Sequence, residues 1–218
     1  MPQKIDSIYF LLSKAYGTPK KENFDSIETL VLTILSQNTN DKNRDIAYSR
    51  LRKKFRSWES IRKAPLASIE GAIRQAGLSK SKSRSIKLAL GKIKKEQGKY
   101  SLEFLRKKSL EDARQYLLSF KGVGPKTAAV VLCFSLDKPA FPVDTHIYRV
   151  SKRLGLIHEK TTVEKAHKLL EATITPELRY SLHFLLIKHG REICHARTPE
   201  CPKCALRKIC AYKNKTFA

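Results

Sequence analysis

Two short segments of the chain carry residue types suited to covalent chemistry beside a phosphate. The first is Gly122-Val123-Gly124-Pro125-Lys126, and the second is Phe141-Pro142-Val143-Asp144-Thr145-His146. Tyr116, Leu117, Leu118 and Phe120 finish one apolar-faced helix. The two glycines permit a backbone path closed to other residues, and Pro125 opens the next helix at its first position. This reads as a helix-hairpin-helix. Its main-chain N–H groups lie at a helix N-terminus, where unpaired donors and partial positive charge favour an anion, here a phosphate. Lys126 brings an amine, which is a nucleophile when unprotonated. Asp144 precedes the helical stretch Thr145 to Leu154. From there it can cap an N–H two or three residues on and offer a fixed negative charge.

Near the C-terminus Cys194, Cys201, Cys204 and Cys210 are spaced C-x6-C-x2-C-x5-C, within seventeen residues that include Pro199 and Pro202. With few apolar neighbours, such a group points to metal or disulfides rather than core packing. Four thiolates satisfy tetrahedral zinc and an iron-sulfur cluster equally well. Cys133 differs, since it falls in the apolar run Ala128 to Leu136 and reads as a buried thiol.

These motifs together resemble endonuclease III, of the helix-hairpin-helix DNA glycosylases. The match runs over Leu118 to Arg149, and the cysteine spacing is the one that family uses for a 4Fe-4S cluster. The resemblance implies that Lys126 and Asp144 are catalytic, that Gly122, Val123 and Gly124 grip the DNA backbone, and that the four cysteines ligate the cluster. It implies a bifunctional glycosylase and AP lyase for damaged, oxidised pyrimidines. The partner it implies is double-stranded DNA with damaged bases or abasic sites, and a monomer is expected. Two loops resemble family segments that enter the duplex: Leu35-Ser36-Gln37-Asn38-Thr39, where Asn38 takes the position of the family's glutamine and Gln37 precedes it, and Gly77-Leu78, where Leu78 matches an apolar wedge. Arg197 stands where the family's cluster loop touches DNA. His146 reads as structural or near a phosphate, while Arg149, Lys152 and Arg153 face either phosphate or solvent.

Alternatives remain on the same scaffold. Adenine glycosylases of the superfamily need a carboxylate before the Gln-Asn-Thr segment and lack the lysine, whereas here that region reads Leu32-Thr33-Ile34-Leu35 and Lys126 is present. A mismatch or alkyl-base glycosylase and a noncatalytic hairpin DNA-binding protein are the other readings.

The elements that must position these residues are all helical. Ile5, Ile8, Leu11, Leu12 and Ala15, then Ile27, Leu30, Val31, Ile34 and Leu35, recur at helical spacing. Further amphipathic stretches are expected at about 41–55, 58–64, 66–76, 81–97, 110–120, 125–136, 145–154, 163–172 and 176–189. Gly77, Gly98, Gly122, Gly155 and Gly190 are expected at helix ends or turns. Strand-like alternation and repeats are missing. The expected fold is therefore all-α: two helical domains, a helix-hairpin-helix and a C-terminal iron-sulfur loop. The resemblance places a six-helix domain at 24–138 and a discontinuous cluster domain at 1–23 plus 139–218.

Composition is consistent with a polyanionic partner. Across 218 residues, 44 Lys and Arg against 20 Asp and Glu leave a net charge of +24. Such an excess steers a protein toward nucleic acid and makes binding salt-sensitive. No segment nears the roughly 20 apolar residues of a membrane span, and no secretory leader pattern is visible. An intracellular, cytoplasmic, DNA-associated protein without a membrane partner is expected. In such a compartment clustered cysteines fit metal ligation better than disulfides.

Overall fold

The computed structural model of the chain describes residues 2–216. Among these residues there are eleven α-helices and no strand. The helices are α1 (Pro2–Tyr16), α2 (Ser26–Ser36), α3 (Asp41–Lys54), α4 (Trp58–Lys63), α5 (Leu66–Ile73), α6 (Ser79–Gln97), α7 (Leu110–Leu118), α8 (Pro125–Ser135), α9 (Thr145–Leu154), α10 (Val163–Thr173) and α11 (Pro176–Glu192), with single 3-10 segments at Arg74–Ala76, Glu103–Lys107 and Cys201–Lys203. By their contacts they form two compact units: Asn23–Lys138, and the residues up to Glu22 together with those from Pro139 onward.

In the first unit the apolar face of α2 packs on α8, α7 also packs on α8, and α6 lies against α5, α4 and α2. Ile27, Leu30, Val31, Ile34 and Leu35 of α2 and Ala128, Ala129, Val131 and Leu132 of α8 are all buried. At about 1.5–3 kcal/mol for a fully buried aliphatic side chain, this seam dominates what holds α8 in place. Asp25 caps α2 by accepting from the N–H groups of Ile27 and Glu28 at 3.0 and 2.8 Å. Across the seam the Ser135 hydroxyl donates to Thr29 Oγ1 at 2.7 Å, so a buried polar pair is satisfied.

The second unit has its own core. Ile5, Ile8 and Leu12 of α1 join Phe141, Val143, Ile147, Val150, Leu154, Leu170, Leu182, Leu185, Leu186 and Leu206, with α11 packed on both α9 and α1. The segment leading into α9 is pinned by polar contacts. The Phe141 N–H donates to Glu171 Oε2 at 2.9 Å, His183 Nδ1 shares a hydrogen bond with the Pro142 carbonyl at 3.0 Å, and Arg179 reaches the carbonyls of Pro139 and Ile174.

Two details depart from the pattern expected of the sequence. The stretch 66–76 breaks at Ile73 into α5 and a 3-10 turn, which Gly77 ends with φ +68°. The segment Glu103–Lys107 forms a 3-10 helix that periodicity does not reveal. Gly190 lies in the last turn of α11, two residues before its end. A Cβ there would stand 2.9 Å from His146 Cβ and 3.3 Å from Val150 Cγ2, so glycine is required by the close approach of α9 to α11.

Candidate nucleic-acid interface and cysteine cavity

The hairpin forms from the end of α7 and the start of α8. Ser119 ends α7, the Val123 N–H donates to the Phe120 carbonyl at 3.0 Å, and Gly122 takes φ +83°. Gly124 precedes Pro125 in extended conformation (φ −98°, ψ −179°), as the residue before a proline must, and no side chain caps α8. The first-turn N–H groups of Lys126 and Thr127 thus have no side-chain acceptor at the positive end of the helix. Lys126 is the second residue of α8, and its side chain is exposed. Val123 is 7% exposed, so its side chain braces the hairpin from beneath.

The loop after α2 and helix α6 of the same unit approach this hairpin. The Gln37 side-chain amide donates to the Gly122 carbonyl at 2.9 Å and lies 3.4 Å from Thr127 Oγ1, tying the end of α2 to the turn. Gln37 is therefore engaged with the hairpin, while Asn38 beside it is exposed and left-handed (φ +51°). Leu78 is also left-handed (φ +47°) and 59% exposed on the turn before α6. A bulky aliphatic held open in a strained conformation is the kind of feature that clusters at functional sites. From α6, Ser85 stands against the hairpin so closely that a Cβ on Gly122 would meet its Oγ at 2.3 Å.

In the second unit Asp144 is the N-cap of α9, its Oδ1 accepting from the Ile147 N–H at 2.7 Å. The bond fixes a partly exposed carboxylate on a buried base of Phe141, Pro142 and Val143. His146, in the first turn, packs its Cβ toward Gly190 and shares a hydrogen bond with Arg149 Nη2 at 3.2 Å. Arg149, Lys152 and Arg153 do not form a free cationic face. Arg149 donates to the carbonyls of Cys194 (3.0 Å) and Gly190 (2.8 Å), and Lys152 lies 4.3 Å over the Tyr148 ring. Arg153 donates to the carbonyls of His195 (2.6 Å) and Ala196 (2.9 Å) and to Cys194 Sγ (3.2 Å), and stacks 4.6 Å over Tyr212. Two of these arginines thus organise the cysteine loop, using a planar fork that suits several carbonyls at once.

Cys194, Cys201, Cys204 and Cys210 line one cavity with Val150, Leu154, Ile193, Pro199 and His189, enclosing about 340 Å³ of empty space, part of it open solvent. None of the four is in a disulfide. His189 Nε2 lies 3.6 Å from Cys204 Sγ, and its Nδ1 shares a hydrogen bond with the Tyr16 hydroxyl at 3.0 Å. Burial pushes the His189 pKa down to about 4 and the Cys204 thiol up to about 11, the other three sulfurs adding to the latter. Four thiolates around one cavity would repel without a cationic group among them. Among the described residues no three His, Cys, Asp or Glu side chains gather closely enough for a single metal ion. Arg197 is exposed on the loop between the first two cysteines, and Cys133 is buried on α8.

A family model described as HhH-GPD superfamily base excision DNA repair protein matches residues 31–176, well over half of the chain and all of both catalytic-type segments. The chain belongs to this superfamily. As a base excision repair glycosylase it is similar to the endonuclease III of Sulfolobus acidocaldarius, 34% identical over 95% of each chain. A protein of Arabidopsis thaliana named as a DNA glycosylase is 40% identical over 77% of this chain, which spans 57% of that relative's length. Among solved structures, a non-covalent endonuclease III–DNA complex matches with TM-score 0.83 and 30% identity, and a trapped covalent endonuclease III–DNA intermediate with TM-score 0.81 and 29% identity. Each covers 96% of this chain and 95% of the other. No helix among the described residues is long and apolar enough to cross a membrane.

Proposed function

We propose that this glycosylase removes oxidised pyrimidines from double-stranded DNA and then cleaves the strand, with Lys126 as nucleophile and Asp144 as the carboxylate that stabilises charge on the sugar. The observation that carries the reading is Lys126 itself, an exposed amine one residue inside α8, directly after a hairpin whose helix start has no side-chain cap. A phosphate held by that start would set the neighbouring sugar within reach of the amine. The damaged nucleotide must leave the stack to be reached, and Asn38 and Leu78 would fill or brace the gap it leaves. Gly122 and Gly124 let the backbone approach the strand, with Gln37 holding the hairpin from behind and Arg197 adding a second phosphate contact.

The Asp144 carboxylate stabilises positive charge on the sugar as the glycosidic bond weakens. The neutral Lys126 amine bonds to C1′, the base leaves with the bond's electron pair and takes up a proton, and opening of the sugar ring gives a protonated imine. That imine acidifies the C2′ hydrogen. Its loss as a proton expels the 3′ phosphate by β-elimination, and hydrolysis then frees Lys126.

The thiols of Cys194, Cys201, Cys204 and Cys210 would hold a 4Fe-4S cluster. Bound there, it supplies a rigid, charge-bearing brace and a redox centre rather than a group for base removal. Arg149 and Arg153 order the loop that carries its ligands.

A panel of single-lesion duplexes tests the substrate assignment. Release from thymine glycol or 5-hydroxycytosine well ahead of alkylated purines or mismatched thymine is expected, and the reverse order would make it a mismatch or alkyl-base enzyme.

A further inference from the structure

Lys82 is the most deeply buried cationic side chain near the candidate DNA loops, 2% exposed although it lies among Lys80, Arg84 and Lys87. Its ammonium donates to the Leu35 carbonyl at 2.8 Å and to the Ala76 carbonyl at 2.7 Å. Leu35 lies in the last turn of α2, whose carbonyls lack helical partners and carry the negative end of the helix dipole. Ala76 ends the 3-10 turn just before Gly77 and Leu78. The Lys82 main-chain N–H meanwhile donates to the Leu78 carbonyl at 3.0 Å. One residue in the first turn of α6 therefore holds three carbonyls, on the two loops that carry Gln37, Asn38 and Leu78. Both loops pass through a left-handed, non-glycine residue, a conformation that persists only where its surroundings over-determine it. One helical turn on, Ser85 meets Gly122, so the same face of α6 also abuts the hairpin.

We propose that Lys82 is a positioning residue that locks the Asn38 loop and the Leu78 turn into one wedge for the opened duplex. The inference rests on the assignment of those loops to DNA entry. A buried ammonium is costly to desolvate, and a surface lysine would serve solubility as well, so the burial has to be offset by what it joins. Without it, two buried carbonyls lose their donor and the loops part.

The test separates wedge insertion from sugar chemistry. A duplex carrying 2-aminopurine opposite a tetrahydrofuran abasic analogue reports unstacking on protein binding and permits no reaction. Single-stranded DNA with a true abasic site requires no wedge, and borohydride trapping on it reads the amine alone. Lys82→Met should lose the fluorescence rise and release a damaged base from duplex about 10- to 100-fold more slowly in single turnover, while its single-strand adduct forms at the wild-type rate. Lys82→Arg, which keeps the charge and the donors, should recover part of the rise. Should Lys82→Met lose its helical circular dichroism, Lys82→Gln, which keeps an N–H donor for one carbonyl, carries the comparison. An unchanged rise in the variants, or equal loss of rise and adduct in a folded variant, overturns the proposal. Failure of the wild-type protein to form any adduct would instead sink the lyase reading, since the fluorescence comparison needs no chemistry.

Discussion

Gly122→Ala should cost about 2–5 kcal/mol of stability, and the structure divides that cost into two parts. Gly122 has φ +83°, and holding an L-residue in the left-handed region costs roughly 1–2 kcal/mol. The new Cβ would also stand 2.3 Å from Ser85 Oγ and 3.0 Å from Ser85 Cβ. Ser85 is buried and its Cβ is also close, so rotating the hydroxyl relieves only part of the clash, and overpacking of this kind adds roughly 1–3 kcal/mol. Only the second part is relieved by removing the serine side chain. Urea denaturation of wild type, Gly122→Ala, Ser85→Gly and the double variant, followed by circular dichroism, gives the cycle. A coupling of about 1–3 kcal/mol in favour of the double variant is expected, because residues in contact are not additive. Gly124 is the internal control. Its backbone is extended and a Cβ there meets nothing within 4 Å, so Gly124→Ala should be neutral or stabilise by up to ~1 kcal/mol through the unfolded chain. It should nevertheless weaken DNA binding if the phosphate rests against that backbone. A Gly122→Ala loss below about 0.5 kcal/mol, the ordinary surface range, or an additive cycle, would refute the reasoning.

Asp144→Asn keeps a side-chain oxygen for the Ile147 N–H, so it should unfold like wild type yet lose about 10²–10³ in single-turnover base release, the usual weight of one transition-state electrostatic group. Asp144→Ala should additionally lose ~1 kcal/mol of stability. Gly190→Ala forces a Cβ to within 2.9 Å of His146 Cβ, and a cost of about 1–3 kcal/mol should lower the melting temperature by roughly 2–12 °C in scanning calorimetry. Iron and acid-labile sulfide analysis should find about four of each per chain, as a 4Fe-4S centre requires. Cys204→Ala should lose both with the brown absorbance while Cys133→Ala keeps them, and stoichiometric zinc in place of iron would contradict the cofactor assignment.

The helices were legible because their apolar residues recur at the helical period, and Pro125 and Asp144 mark starts that local chemistry enforces. The hairpin was legible for the same reason, since two glycines followed by proline leave few backbone paths. What escaped is set by packing between segments far apart in the chain. Lys82 sits in a basic stretch in which every lysine reads as surface, and only the arrival of two carbonyl-bearing loops singles it out. Arg149 and Arg153 read as facing either phosphate or solvent because they follow Asp144 on α9, yet the cysteine loop returns to engage both. Gly190 falls in the last turn of α11, near the helix end expected of it, but the contact with α9 that requires a glycine there is not visible in the sequence. Gln37 belongs to a loop expected at the DNA, and the hydrogen bond from its side chain to the Gly122 carbonyl is not visible in the sequence. Each of these depends on a neighbour more than thirty residues away, which no local pattern encodes.

The Lys126 amine is the group expected to become bonded to the sugar. Borohydride reduction during turnover on a thymine glycol duplex, followed by digestion and mass spectrometry of the cross-linked peptide, tests it directly. One adduct is expected, on the peptide carrying Lys126, and it should disappear in Lys126→Ala. Base release with no adduct, or an adduct on another residue that survives Lys126→Ala, would contradict it.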